Sequence, residues 1–258
     1  MGDGLAPIGP LGAAQFLTRV PLRLRAAADP AATVPWFPLV GAVIGLVVGA
    51  VAAGLHHVLP PAVSAAIAVL AGVAITGAFH EDGLADTSDA MGGWTVERRR
   101  EILLDSRHGS YGVAAMVGSI TLRVACVASL GPAAALGGLV AAHAVGRGAA
   151  VATMATRRAA RGAGHDDGLG ARHLHALTRR GLLGAAASTM VLGALAVGWW
   201  VVPAVVAAGV GAALVTAVAS RALDGINGDV LGAVEQVGEC LVLVVVAGLA
   251  ARHPVWWA

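Results

Sequence analysis

The runs PLVGAVIGLVVGAVAAGLH (residues 38–56) and PAVSAAIAVLAGVAITGAF (residues 61–79) contain no Asp, Glu, Lys or Arg. Each is close to the ~20 apolar residues that a helix needs to cross a bilayer core. Pro60-Pro61 separates them as a short turn. Similar runs follow near 111–130, 132–155, 181–201, 203–221 and 233–251, with Gly131-Pro132 and Pro203 at the joints. The reading is an all-α, polytopic integral membrane bundle of about seven transmembrane helices, with residues 1–258 as one membrane domain.

The whole-chain composition agrees. Of 258 residues, 57% are hydrophobic and 12% charged, and the mean hydropathy is +0.79, which excludes an ordinary soluble domain. Glycine is abundant, at 36 residues, as in membrane helices whose backbones approach closely. No basic segment followed by a short apolar core marks a signal peptide. Cys126 and Cys240 lie inside apolar runs and read as packing residues rather than a disulfide.

All 17 basic residues are Arg, and their placement orients the chain. Arg19, Arg23 and Arg25 precede the first run, and Arg98, Arg99, Arg100 and Arg107 follow the second. Arg157, Arg158, Arg161, Arg172, Arg179 and Arg180 lie between the fourth and fifth, and Arg221 ends the sixth. With seven spans these all fall on one side, and Arg252 is the exception. The positive-inside rule then places the N-terminus in the cytoplasm and the C-terminus outside, with Trp199, Trp200, Trp256 and Trp257 at the outer interface.

Against this background the stretch FHEDGLADTSDAMGGWTVERRREILLDSRHGSYG (79–112) stands out, because it holds seven of the chain's 15 acids. Asp82, Asp86 and Asp89 are spaced i, i+4, i+7 and share one face of a helix continuing past the second span. Three crowded carboxylates call for a cation, and Mg²⁺ suits oxygen donors while keeping sites for phosphate oxygens. The alternative is a solvated helix end. His80 reads as a general base, as a partner that orients a carboxylate, or as an ordinary interfacial histidine. Arg107, in the flexible segment Asp105–Gly112, is suited to grip phosphate; its alternative role is one more inside charge, as for Arg98–Arg100. His173 and His175 lack the spacing and cysteines of a zinc site.

A second acidic turn, Asp224-Gly-Ile-Asn-Gly-Asp229, echoes Asp82-Gly-Leu-Ala-Asp86, and the two suggest facing half-sites. Asp229 is a further metal or phosphate ligand candidate. Glu235 and Glu239 enter the last apolar run, where burial demands partners, and Arg123 and Arg147 are the natural ones.

The run His80-Glu-Asp-Gly-Leu-Ala-Asp-Thr-Ser-Asp89, followed by Asp105-Ser-Arg-His-Gly-Ser-Tyr-Gly112, resembles the signature of the cobalamin synthase family, the adenosylcobinamide-GDP ribazoletransferases. Gln15–Pro21 and Gly228–Ala233 with Glu235 and Glu239 are similar to the family's terminal motifs. The chain departs from them at Asp224-Gly225, Asn227 and Ala90. The resemblance implies a Mg²⁺-dependent enzyme of the bacterial cytoplasmic membrane with its active site on the cytoplasmic side. A ribose hydroxyl of α-ribazole, or of its 5′-phosphate, attacks the phosphorus attached to cobinamide in adenosylcobinamide-GDP, and GMP leaves. The implied metal ligands are Asp82, Asp86, Asp89 and Asp229. Asp105, Arg107, Asp224 and Asn227 are the implied substrate and phosphate contacts, and His80 or a carboxylate takes the proton. The implied partners are these substrates, the bilayer, and a second copy of the chain or other enzymes of the corrinoid pathway, without nucleic acid. A CDP-alcohol-type phosphotransferase and a cation- or proton-coupled transporter using Glu235, Glu239, Arg123 and Arg147 are the competing readings.

Overall fold

The structure, a computed structural model, describes residues 9–24, 28–105, 107–156, 173 and 176–253. Arg25, Arg157, Arg158, Arg161, Arg172, His175, Trp256 and Trp257 lie outside the described residues. The elements run α1 (Gly9–Leu17), α2 (Pro30–Thr33), α3 (Phe37–Leu55), α4 (Pro61–Thr76), α5 (Phe79–Ala90) and α6 (Val96–Leu103). They continue with α7 (Ser110–Ala128), α8 (Pro132–Met154), α9 (Arg179–Val197), α10 (Val201–Leu223) and α11 (Gly228–Ala250).

Local chemistry sets the boundaries. Pro61 and Pro132 open α4 and α8, where a missing N–H costs nothing. The side chains of Thr95, Thr178 and Asn227 accept backbone N–H bonds at the starts of α6, α9 and α11. Among the described residues, five helical runs are long and apolar enough to cross a membrane, or six if the bent pair α4–α5 counts as one. The longest, Arg179–Leu223, has 45 residues. As one straight helix it would measure ~68 Å, more than twice the bilayer core. It is instead broken at Gly198 (φ 58°) into α9 and α10. The seven expected spans therefore each contain one helix: α3, α4, α7, α8, α9, α10 and α11.

These helices are inside out relative to a soluble bundle. Val202, Val206, Val210, Leu214 and Val218 recur every four residues along α10, and all are more than half exposed. That stripe is apolar surface for lipid. The helices meet through small residues. Gly41, Gly45 and Gly49 on α3 lie against the backbone of α8, where an added Cβ would come within 2.3 to 2.9 Å of it.

Two expectations need correcting. The acidic helix does not continue the second span. Gly77 and Ala78 are both left-handed (φ 68° and 58°), and α5 leaves α4 at 88°. With four acids among its residues, α5 is not itself a spanning helix. Trp200 is buried in the core at 1% exposure rather than set in an interfacial belt. Trp199 is exposed and packs edge-on against His253, just beyond the end of α11. Both cysteines are free and buried, as expected.

Candidate active site: an acidic helix held against a second acidic turn

One end of the bundle gathers the starts of α3, α5, α7 and α11 and the ends of α8 and α10. There α5 crosses the start of α11 at two glycines. A Cβ on Gly83 would lie 2.8 Å from the Asp229 carbonyl oxygen, and one on Gly232 would lie 3.3 Å from the Gly83 Cα. Only paired glycines let the backbones meet this closely. The two acidic turns do face each other.

The crossing crowds carboxylates. Asp82 and Asp86 are one turn apart on α5, and His108 bridges them. Its Nε2 is 3.6 Å from an Asp82 oxygen and its Nδ1 is 3.4 Å from an Asp86 oxygen. One ligand atom from each of the three lies within 4.8 Å of the others, so the trio could hold a metal ion. Asp86 is half-buried. Burial first, then the charges of Asp82 and Asp229, push its carboxyl up to about 6. The pocket is short of positive charge, and oxygen donors short of positive charge fit a hard cation.

Asp89, on the same face, has another task. Its two oxygens accept the backbone N–H groups of Gly109 (2.6 Å) and Gly112 (2.8 Å). It acts as the N-terminal cap of α7, where the cap residue Gly109 has no side chain to offer. A Cβ on Gly112 would lie 2.3 Å from an Asp89 oxygen, which explains the glycine. This anchor fixes the segment that brings His108 over Asp82 and Asp86.

The other expected contacts are arranged differently. Arg107 is exposed and forms a bidentate pair with Asp105 (2.9 and 2.7 Å), holding that carboxyl well below the usual carboxylate range. Asp224 ends α10 in the left-handed region (φ 57°), exposed and 3.8 Å from Arg100. Arg99 and Arg100 donate to the carbonyls of Ala222 and Leu223, so the Arg run of α6 caps α10. Asn227 caps α11 through the Val230 N–H and donates to Asp229 at 2.8 Å, orienting that carboxylate. The structure thus brings Asp82, Asp86 and His108 together, with Asp229 close by. Asp89 and Asn227 cap helix starts, Asp105 and Arg107 pair with each other at the surface, and Asp224 lies exposed near Arg100.

Beneath α5 lies a buried charge network. Arg123 donates to Glu81 (2.9 Å) and Glu239 (3.0 Å). Arg147 donates to Glu239 (2.9 Å) and pairs with Glu235, and His143 pairs with Glu239. The expected Glu–Arg pairing is present, and it ties α5, α7, α8 and α11 together. His80 is 5% exposed, and its Nδ1 faces Glu235 at 3.7 Å without a hydrogen bond. His108, Glu81 and His143 were not singled out from the sequence. His108 lay inside the quoted 105–112 motif, and His143 precedes Arg147 by one helical turn.

A family model described as cobalamin-5-phosphate synthase matches residues 9–247. An adenosylcobinamide-GDP ribazoletransferase of Azorhizobium caulinodans is 37% identical over 96% of this chain and 98% of its own length. One of Bradyrhizobium diazoefficiens is 38% identical over 91% of both. No solved structure matches. With a match from Gly9 to Ala247 and full-length relatives at this identity, the chain belongs to the cobalamin-5-phosphate synthase family.

Proposed function

We propose that this chain catalyses the reaction for which its relatives are named. It transfers the cobinamide-phosphoryl group of adenosylcobinamide-GDP to a ribose hydroxyl of α-ribazole or its 5′-phosphate and releases GMP. The observation that carries the reading is the convergence of Asp82, Asp86 and His108 beside Asp229, at the Gly83–Gly232 crossing. Asp82 and Asp86, with Asp229, are the residues that would hold Mg²⁺. When bound, the ion neutralises charge on the diphosphate.

The chain's own groups do the rest. Asp89 holds the 109–112 turn, so the acids and His108 keep fixed positions, as stabilising the charge that develops during phosphoryl transfer requires. His108 sits between the Asp82 and Asp86 carboxylates and is placed to contact phosphate oxygens or the attacking hydroxyl. Arg107 is exposed at the same rim, and exchanging Asp105 for a substrate phosphate would leave one bidentate pair for another. His80 faces the buried network and lies behind the acids.

The acidic end is the cytoplasmic one. Arg19, Arg23, Arg98–Arg100, Arg107, Arg179, Arg180 and Arg221 gather at that end, and Arg252 lies at the other. This reading has seven crossings of a bacterial inner membrane, with α5 and α6 in the headgroup layer. The transporter reading is the weaker one, because Glu235, Glu239, Arg123 and Arg147 are tied with Glu81 and His143 into one buried network.

The direct test is purified protein with adenosylcobinamide-GDP, α-ribazole and Mg²⁺, assayed for GMP and for the joined corrinoid. Formation of both is the expected result. GMP without a joined product would mean hydrolysis and would remove the transferase assignment.

A further inference from the structure

A cavity with about 430 Å³ of empty space, its mouth included, opens at the same end of the bundle as the acids. The chain has three phenylalanines, and all three line it: Phe16 from α1, Phe37 from the start of α3 and Phe79 from the start of α5. Phe16 stacks on Phe37 (5.5 Å, 7°) and meets Phe79 edge-on (5.4 Å, 81°). Rings used only as filler would be expected to scatter through the core of so apolar a chain.

The cavity is not wholly apolar. His173 lines it and stacks on Phe16 (4.1 Å, 30°), and His80 and Arg147, 5% and 1% exposed, also line it, with no hydrogen-bond partner at His80 Nδ1 or Arg147 Nε. A flat, mostly apolar ligand with few polar atoms suits such walls. The acids lie further along the helix that supplies Phe79. Phe79, Asp82 and Asp86 are spaced i, i+3, i+7 and form one stripe of α5, spanning ~10 Å at 1.5 Å per residue. A group stacked at Phe79 can extend along that stripe to Asp86. Gly228, at the start of α11 and next to Asp229, closes the other side.

We infer that this cavity holds the benzimidazole base of the acceptor nucleoside, with its ribose directed along α5 towards Asp82 and Asp86. The inference rests on the transferase reading above and assigns the acceptor half of that site. The guanine of the donor is the poorer occupant. Its several hydrogen-bonding atoms would mostly face phenyl rings, with His80 Nδ1 and Arg147 Nε as the unpartnered groups to meet them. A benzimidazole with two ring methyl groups leaves almost nothing unpaired.

The test uses the full-length protein in phospholipid nanodiscs. Ala150→Phe fills the cavity from α8, where Ala150 is buried in its wall, and Phe16→Leu removes the central ring with little change in volume. Two quantities are read for each variant that elutes as the wild type does. They are the KM for α-ribazole against that for adenosylcobinamide-GDP, and direct binding of α-ribazole followed by its benzimidazole fluorescence. Both variants are expected to weaken acceptor binding and raise acceptor KM by about tenfold or more, with donor KM within about twofold. A raised donor KM would assign the cavity to guanine. A changed lipid requirement with both KM values intact would assign it to an acyl chain. Either outcome, or unchanged acceptor binding in both variants, overturns the inference. Formation of GMP and the joined corrinoid with unchanged acceptor KM would sink the cavity assignment and leave the transferase standing. Variant-sensitive α-ribazole binding without any transfer would do the reverse.

Discussion

Asp82, Asp86 and Asp89 share a helical face and divide the work. Asp82 and Asp86 face His108, while Asp89 spends both oxygens on backbone N–H groups. Asn substitution should separate these roles. Asp82→Asn and Asp86→Asn should lower kcat by about 10²-fold or more, the scale of a lost charge-stabilising group, with little change in thermal stability. Asp89→Ala removes a buried charged cap, and a loss of about 1–3 kcal/mol of stability should accompany the loss of activity. A shared unfolding midpoint for Asp89→Ala and wild type would contradict the capping role. Glu97→Gln, on the exposed face of α6, is the silent control. Metal linkage can be read without turnover. Mg²⁺ at about 100 times its Kd should stabilise the wild type by ~2.7 kcal/mol and raise its midpoint. Asp82→Asn and Asp86→Asn should not respond, and an equal shift in those variants would place the ion elsewhere.

The helices meet through two devices, each testable by its own substitution. One is the glycine crossing of α5 and α11. Gly83→Val would drive a side chain into the Asp229 backbone and part the two acidic turns, so activity should fall by at least about tenfold. Normal activity in that variant would mean the turns need not touch. The other is the buried network between α5, α7, α8 and α11. Glu239→Gln leaves Arg123 and Arg147 short of a carboxylate in a nearly water-free interior. Breaking such a pair costs roughly 3–5 kcal/mol, so this variant should lose folded yield, unlike Asp86→Asn. A well-folded Glu239→Gln with poor turnover would move the network from scaffold to chemistry.

At the scale of the whole molecule, the arginines and the lipid-facing stripe of α10 describe a chain fixed in its bilayer with one reactive end. Thiol labelling checks which end that is. Val58→Cys lies in the exposed turn between α3 and α4, and Glu97→Cys in α6 on the opposite side. The native Cys126 and Cys240 are buried and should stay silent. In intact cells an impermeant maleimide should modify the first and reach the second only after permeabilisation. The reverse pattern would invert the topology and place the acids outside.

Much of this was legible in the residues alone. Uncharged runs of about 20 residues can be satisfied in few ways, because a backbone in hydrocarbon must bond to itself, so the helices were readable one by one. Glu235 and Glu239 likewise had to find Arg123 and Arg147, since an unpaired charge in that interior is too costly. Helical spacing also placed Asp82, Asp86 and Asp89 on one face. Spacing could not say that Gly77 and Ala78 would swing that face 88° out of the span, or that α7 would take Asp89 as its cap. Nor could it bring His108 to the acids, set Asp224 at a helix end away from them, or gather three phenylalanines spread over 64 positions around one cavity. Those outcomes depend on which helix end approaches which. Such approaches are decided by glycine contacts and by the few polar partners that buried groups can reach, and both are properties of distance in space rather than of order along the chain.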